Sequence, residues 1–249
     1  MMFDLSGTAA LVTGANSGIG QAVALALAAA GADIATVGRS AADATGAQVQ
    51  ALGRRWLDVH ADLSTIASVP GAVATALETF GTIDILVNNA GIIRRADAID
   101  MTEADWDAVQ NTNLKALFFL TQAVARPMLA RGSGKIINIA SMLSFQGGVR
   151  VPGYTAAKSG VAGLTRALAN EWAAHGVNVN AIAPGYIATA NTAALQADPT
   201  RSRQIVERIP AGRWGQPADI GGAAVFLASS AADYINGHVL AVDGGWLAR

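Results

Sequence analysis

Tyr154 and Lys158 stand four residues apart at the start of a helical pattern, so both side chains project from one helix face. A tyrosine with a pKa near 10 is a poor acid-base group at neutral pH, and a nearby ammonium favours its phenolate. The chain has three lysines (Lys115, Lys135, Lys158), which makes an idle charge at 158 harder to argue. An exposed lysine one turn past a packed tyrosine would have the same spacing, so the pair needs partners. Ser141, thirteen residues upstream, is a hydroxyl donor suited to a carbonyl oxygen. Asn113, in Asn111-Thr112-Asn113-Leu114-Lys115, is a candidate water holder. Together the four side chains suit proton transfer at an oxygen on carbon.

A second constellation is built for a phosphate. Gly14, Asn16, Ser17, Gly18, Ile19 and Gly20 follow an apolar run and open a helical one. Glycines there allow a tight turn and close approach of a pyrophosphate to the free N–H groups of the helix start. The spacing is Gly-x3-Gly-x-Gly, not the commoner Gly-x-Gly-x2-Gly, and a plain Gly-rich turn would look alike. Further candidates fall at the ends of other apolar runs. They are Arg39-Ser40, Asp62-Leu63 (a carboxylate for an adenine amino group, or only a helix-start Asp), Asn89-Ala90-Gly91, and Pro184-Gly185 with Ile187 and Thr189.

These residues need a frame that gathers strand ends. Seven β-prone runs (8–13, 33–38, 55–60, 83–88, 135–140, 177–183, 238–242) alternate with helical patterns near 18–30, 43–53, 64–80, 103–130, 153–175 and 217–229. That alternation predicts α/β: a single Rossmann-like doubly wound domain over 1–249, with a seven-stranded parallel sheet flanked by helices on both faces. In such sheets ligands bind beyond the carboxyl ends of the strands. The irregular stretch around 185–213 reads as a substrate lid.

Composition excludes other classes. The 249 residues are 52% hydrophobic and 14% charged, with a formal charge of −1, so there is apolar surface for a core and no basic footprint for nucleic acid or an anionic membrane. No apolar run reaches the roughly 18 residues of a membrane span. Zero cysteines exclude thiol chemistry, and three scattered histidines offer no metal spacing. A soluble, cytoplasmic, metal-independent protein is expected.

The glycine motif at 13–20, Asn-Asn-Ala-Gly at 88–91 and the tetrad Asn113, Ser141, Tyr154 and Lys158 resemble the short-chain dehydrogenase/reductase family over nearly the whole chain. The resemblance implies a homotetramer that moves hydride between nicotinamide C4 and an alcohol or ketone carbon. In it Tyr154 is the acid-base group, Ser141 polarises the carbonyl, Lys158 holds the nicotinamide ribose and assists Tyr154, and Asn113 supports a proton relay. The apolar stretch Gly244–Ala248 would lend itself to a subunit interface.

A narrower resemblance, in residues 92–95, 140–152 and 241–249, is to the family's sugar-acid branch, the dehydrogenases of the 2-keto-3-deoxygluconate, 2-deoxygluconate or gluconate type. A small hydroxylated acid then needs a charge-assisted fork, for which Arg94, Arg150 and Arg213 are candidates, with Gln146 and Tyr186 near the substrate; Arg95 is assigned to solvent. Strand two ends in Arg39-Ser40 without the acidic residue many NAD-preferring members have. NADP(H) is therefore expected over NAD(H), although Arg39 stacked on adenine would tolerate either. The rival readings are a reductase of other carbonyls, such as 3-oxoacyl thioesters, and a non-catalytic dinucleotide sensor. The intact tetrad argues against the sensor.

Overall fold

The computed structural model of the chain describes residues 2–249. Seven strands, β1 (Ala9–Thr13), β2 (Asp33–Gly38), β3 (Trp56–His60), β4 (Ile85–Asn88), β5 (Gly134–Ile139), β6 (Val177–Pro184) and β7 (Val239–Val242), form one parallel sheet in the order β3-β2-β1-β4-β5-β6-β7. Successive side chains face opposite sides of a strand, and both sides are buried. Ala10, Val12, Ile85, Val87, Ile137 and Ile139 pack into one core, while Leu11, Leu86 and Ile136 pack into the other. This is why these strands read as unbroken apolar runs in the sequence.

Helices α1 (Gly18–Ala29), α2 (Asp43–Ala51) and α9 (Ala218–Ala228) cover the first face, through Val23, Leu27, Val49, Ile220 and Leu227. The other face carries α3 (Val69–Phe80), α5 (Ala116–Arg131) and α6 (Pro152–Trp172), through Val73, Leu120, Val124, Met128 and Leu168. Sequence periodicity gave one helix over 103–130. The structure divides it into α4 (Glu103–Gln110), a π-turn (Asn111–Lys115) and α5. The expected helix at 64–80 begins only at Val69, with Pro70 in its first turn, because residues 62–68 are organised as a turn by the Asp62 carboxylate and carbonyl.

The stretch expected to lack regular structure contains two helices, α7 (Ala193–Ala197) and α8 (Pro199–Arg208). Asp198 caps α8 by accepting the N–H groups of Thr200 and Arg201 at 3.0 Å each. Polar composition hid this helix, since its single buried residue is Ile205. Ile205 packs with Ile209, Met142 and Trp246, and the Arg208 guanidinium lies 4.0 Å from the centre of the Trp246 ring. Among the described residues no helix is long and apolar enough to cross a membrane, and no three His, Asp or Glu side chains cluster as metal ligands.

The order reverses at β1 and β4, and the chain there is fixed by one side chain from each end. Thr13 Oγ1 accepts the N–H groups of Asn89 and Ala90, both at 2.9 Å, and Asn89 Nδ2 donates to the carbonyls of Thr13 (2.9 Å) and Gly14 (3.1 Å). Gly20 closes against this joint, and a Cβ there would run into the Gly14 carbonyl and Asn89 Nδ2. Gly20→Ala is expected to lose about 1–3 kcal/mol in chemical unfolding, as other overpacked sites do. Gly222→Ala, in open space on α9, should instead gain about 0.5–1 kcal/mol from lowered backbone entropy in the unfolded chain.

Candidate active site

Beyond the carboxyl ends of β1, β2, β4 and β5 lies a cleft of about 330 Å³. Gly14, Asn16, Ser17, Gly18, Ile19, Gly20, Arg39, Ser40, Asp62, Leu63, Asn89, Ala90, Gly91, Tyr154, Lys158 and Thr189 line it. The structure therefore brings together candidates from six separate stretches of chain. Ser17, at the N-cap of α1, makes no side-chain capping bond, so the first N–H groups of this helix face the cleft without a partner from that side chain. With Gly14 and Gly18 at positive φ (64° and 58°), the turn is shaped to take an anion on its backbone. The residues present fit a dinucleotide's phosphates.

Pro184, Gly185 and Ile187 do not reach this wall. Pro184 ends β6, Gly185 donates to the Val242 carbonyl (3.0 Å), and Ile187 is buried in the core beside a second cavity of about 250 Å³. Tyr186 lines that second cavity and stacks edge-on against Trp214 and Trp246. Gln146 lines neither cavity.

Lys158 and Tyr154 meet at the cleft floor, where α6 crosses the end of β5. The Lys158 ammonium is buried, 5.7 Å from the centre of the Tyr154 ring, and donates to the Ile139 carbonyl at 2.5 Å. Burial depresses its pKa from 10.5 to about 8. Burial also raises the Tyr154 phenol above its ordinary value; a hydrogen bond with the Ser141 side chain and the charge of Arg95 pull it partly back. Ser141 Oγ accepts the Leu143 N–H (3.1 Å), which leaves its own proton free to donate. These groups can pass a proton to or from an oxygen placed between Ser141 and Tyr154.

Asn113 is buried in the π-turn, and its amide makes a reciprocal pair with the Ile92 backbone. Oδ1 accepts the Ile92 N–H and Nδ2 donates to the Ile92 carbonyl, both at 2.8 Å. A π-turn shifts the hydrogen bonding by one residue, here Ala116 N–H to the Asn111 carbonyl, and so exposes a helix carbonyl to other partners. No sequence pattern marked this turn.

The arginines are arranged differently from the sequence expectation. Arg94 pairs with Asp105 (3.2 Å), Arg150 with Asp97 (3.0 Å) and Arg213, by two nitrogens, with Asp219 (2.7 and 3.0 Å), and none lines the cleft. Arg213 also depresses the Asp219 carboxyl to about 2. Arg95, assigned to solvent, is exposed and also donates to the Asn191 carbonyl (3.0 Å) at the cleft edge, and its charge is felt at Tyr154. Asn191, Ile92 and Thr112 are cleft residues not named as site candidates from the sequence, although Ile92 and Thr112 lie within the motifs at 92–95 and 111–115.

Because the Lys158 pKa falls on folding, the unfolded chain binds more protons between pH 8 and 10.5, and this group's contribution to stability rises with pH through that window. Lys158→Met should therefore gain most over the parent at pH 7, with the difference shrinking toward pH 10 in paired urea titrations.

Residues 14–247 match a family model described as Enoyl-(Acyl carrier protein) reductase. The chain is 60% identical to the 2-dehydro-3-deoxy-D-gluconate 5-dehydrogenase of Escherichia coli (strain K12), across 99% of this chain and 98% of that protein. Its fold matches an Agrobacterium tumefaciens protein solved with NADP bound (57% identity, TM-score 0.93, covering 100% of this chain and 99% of that one). It also matches a gluconate 5-dehydrogenase from Burkholderia cenocepacia J2315 in complex with NADP and tartrate (41% identity, TM-score 0.95, covering 100% and 98%). With this cleft and these relatives along its whole length, the chain belongs to the short-chain dehydrogenase/reductase family and is an NAD(P)-dependent oxidoreductase.

Proposed function

We propose that this protein is an NADP(H)-dependent dehydrogenase interconverting a secondary alcohol and a ketone of a sugar acid, of the 2-keto-3-deoxygluconate, 2-deoxygluconate or gluconate type. The observation that carries the reading is the Tyr154 phenol on a buried Lys158 ammonium, beside the Ser141 hydroxyl and within the field of Arg95. The activity of the Escherichia coli relative and the hydroxy-acid bound to the Burkholderia cenocepacia one support the substrate class. Family membership supports work as a homotetramer.

The bound nicotinamide would supply or accept a hydride; the protein's part is orientation and a proton. Gly14 and residues 16–20 would hold the pyrophosphate, Asn89, Ala90 and Gly91 give room for the cofactor backbone, and Asp62 and Leu63 border the adenine. Arg39 and Ser40, both exposed on the cleft wall, suit a ribose 2′-phosphate, which a guanidinium binds bidentately.

Ser141 donates to the substrate oxygen, and Tyr154 delivers its phenolic proton to that oxygen in reduction or takes one in oxidation. Lys158 keeps positive charge against the ring and so lowers the cost of the phenolate. The π-turn at Asn113 offers a carbonyl for a water that reconnects Lys158 to solvent. Arg95 takes the substrate carboxylate, a role supported by its place at the cleft edge and by the ion pairs that already neutralise Arg94, Arg150 and Arg213. Residues 185–213, which carry α7 and α8, act as the lid.

Tyr154→Phe should cut kcat by roughly 10²–10⁴-fold with cofactor affinity unchanged, since the ring stays and only the proton-carrying oxygen is lost. In the parent, kcat for alcohol oxidation should rise with pH, because burial holds Tyr154 in its phenol form at neutrality.

A turnover panel of sugar acids, a matching lactone and a 3-oxoacyl thioester, each with NAD(H) and NADP(H), tests the function. The acids with NADP(H) are expected to dominate, and Arg95→Ala should raise KM for the acid by about tenfold while sparing the lactone. Preference for the thioester, or equal use of acid and lactone, would reject the sugar-acid reading.

A further inference from the structure

Among the described residues Arg150 is the one non-glycine residue with positive φ (63°). Such a backbone suits glycine and, less well, asparagine, because a Cβ crowds the neighbouring carbonyl. Its position is specific. The Arg150 carbonyl accepts the Ala96 N–H (3.1 Å), one residue beyond Arg95, and the next residue, Val151, is buried and provides the carbonyl for the first helical bond of α6, from Thr155 N–H (2.9 Å). Tyr154 lies within that first turn. On its other side the turn is held by Gln110 of α4, whose Nε2 donates to the Gly153 carbonyl at 2.8 Å.

The Arg150 guanidinium does little of this. Its pair with Asp97 (3.0 Å) leaves the two side chains 60% and 63% exposed, where an ion pair is screened by water. The constraint is in the backbone. Upstream, a Cβ at Gly148 would crowd Val151 and Leu143, so the chain has little freedom to reach α6 by another route.

We propose that Arg150 is a positioning residue for Tyr154: its left-handed backbone, locked to Ala96, fixes the start of α6 against the loop that carries Arg95. The acid-base group and the carboxylate site are thereby held at one separation, so that a hydroxy acid bound by its carboxylate presents its reacting oxygen to Tyr154. This rests on the function proposed above.

The test is a substitution series graded by tolerance of positive φ, with Arg150→Gly and Arg150→Asn against Arg150→Val, and Arg150→Ala in place of valine if the valine variant does not fold. Two readouts are taken: kcat and KM for oxidation of the hydroxy acid at saturating NADP+, and hydrogen exchange at the Thr155 amide, which needs no turnover. The Gly and Asn variants should keep kcat within about threefold of the parent, and Val should lose roughly tenfold or more, as small misplacements of a reacting group do. Exchange at Thr155 should stay slow in Gly and Asn and accelerate in Val, with NADPH affinity unchanged throughout. Equal kcat and equal exchange in Gly and Val would overturn the proposal. So would a loss in Gly and Asn as large as in Val, which would assign the effect to the guanidinium. Should the parent turn over no sugar acid, the functional reading fails, and the exchange series still decides whether the backbone at 150 locks α6.

Discussion

Parallel pairing is the constraint from which the rest follows. Seven strands running in one direction put every carboxyl end on the same edge, and a sheet buried on both faces leaves only that edge and its opposite for polar side chains. At the reversal between β1 and β4 the strand ends diverge, and Thr13 and Asn89 satisfy the backbone groups that the sheet no longer pairs. The glycine turn, the Asn-Asn-Ala-Gly turn and the floor of the cleft are all referenced to that joint. Adding a side chain at Gly20 disturbs them together, because α1 then cannot close on Gly14.

At the other end of the cleft the structure holds a tension. A buried ammonium with a single carbonyl partner is unfavourable, and the pKa of Lys158 falls accordingly. Burial works against the charged form of Tyr154 as well. Each group disfavours its own ionisation through loss of water, while the hydrogen bond with Ser141 and the charge of Arg95 favour a phenolate. The buried Lys158 is thus a place where the fold gives up stability, and strongly perturbed groups of this kind cluster at sites that move protons.

The approach to the site is shaped by charge pairing. Arg94, Arg150 and Arg213 each meet an aspartate of the chain, while Arg95 is bonded to the neutral Asn191 carbonyl. Arg213 and Asp219 tie the end of the 185–213 stretch to the start of α9, and the Arg208–Trp246 stack ties α8 to the C-terminal turn.

What the sequence determined by itself was whatever is local in period or spacing. The alternation of apolar runs with helical patterns specified seven strands to within two residues at either end, because central strands buried on both faces are largely apolar. Tyr154 and Lys158 could be paired because four residues is one helical turn, and the glycines at 14, 18 and 20 because a phosphate turn demands them. The tertiary structure decided what depends on partners distant in the chain. Which arginine stays unpaired was settled by Asp97, Asp105 and Asp219, whose positions no spacing reveals. The helix α8 escaped notice because its packing rests on one buried isoleucine, and the π-turn at Asn113 because its cause is a reciprocal amide bond to Ile92, twenty-one residues away. The depressed lysine and the left-handed Arg150 belong to the same class, since burial and backbone locks are set by what folds against a residue and not by its neighbours in sequence.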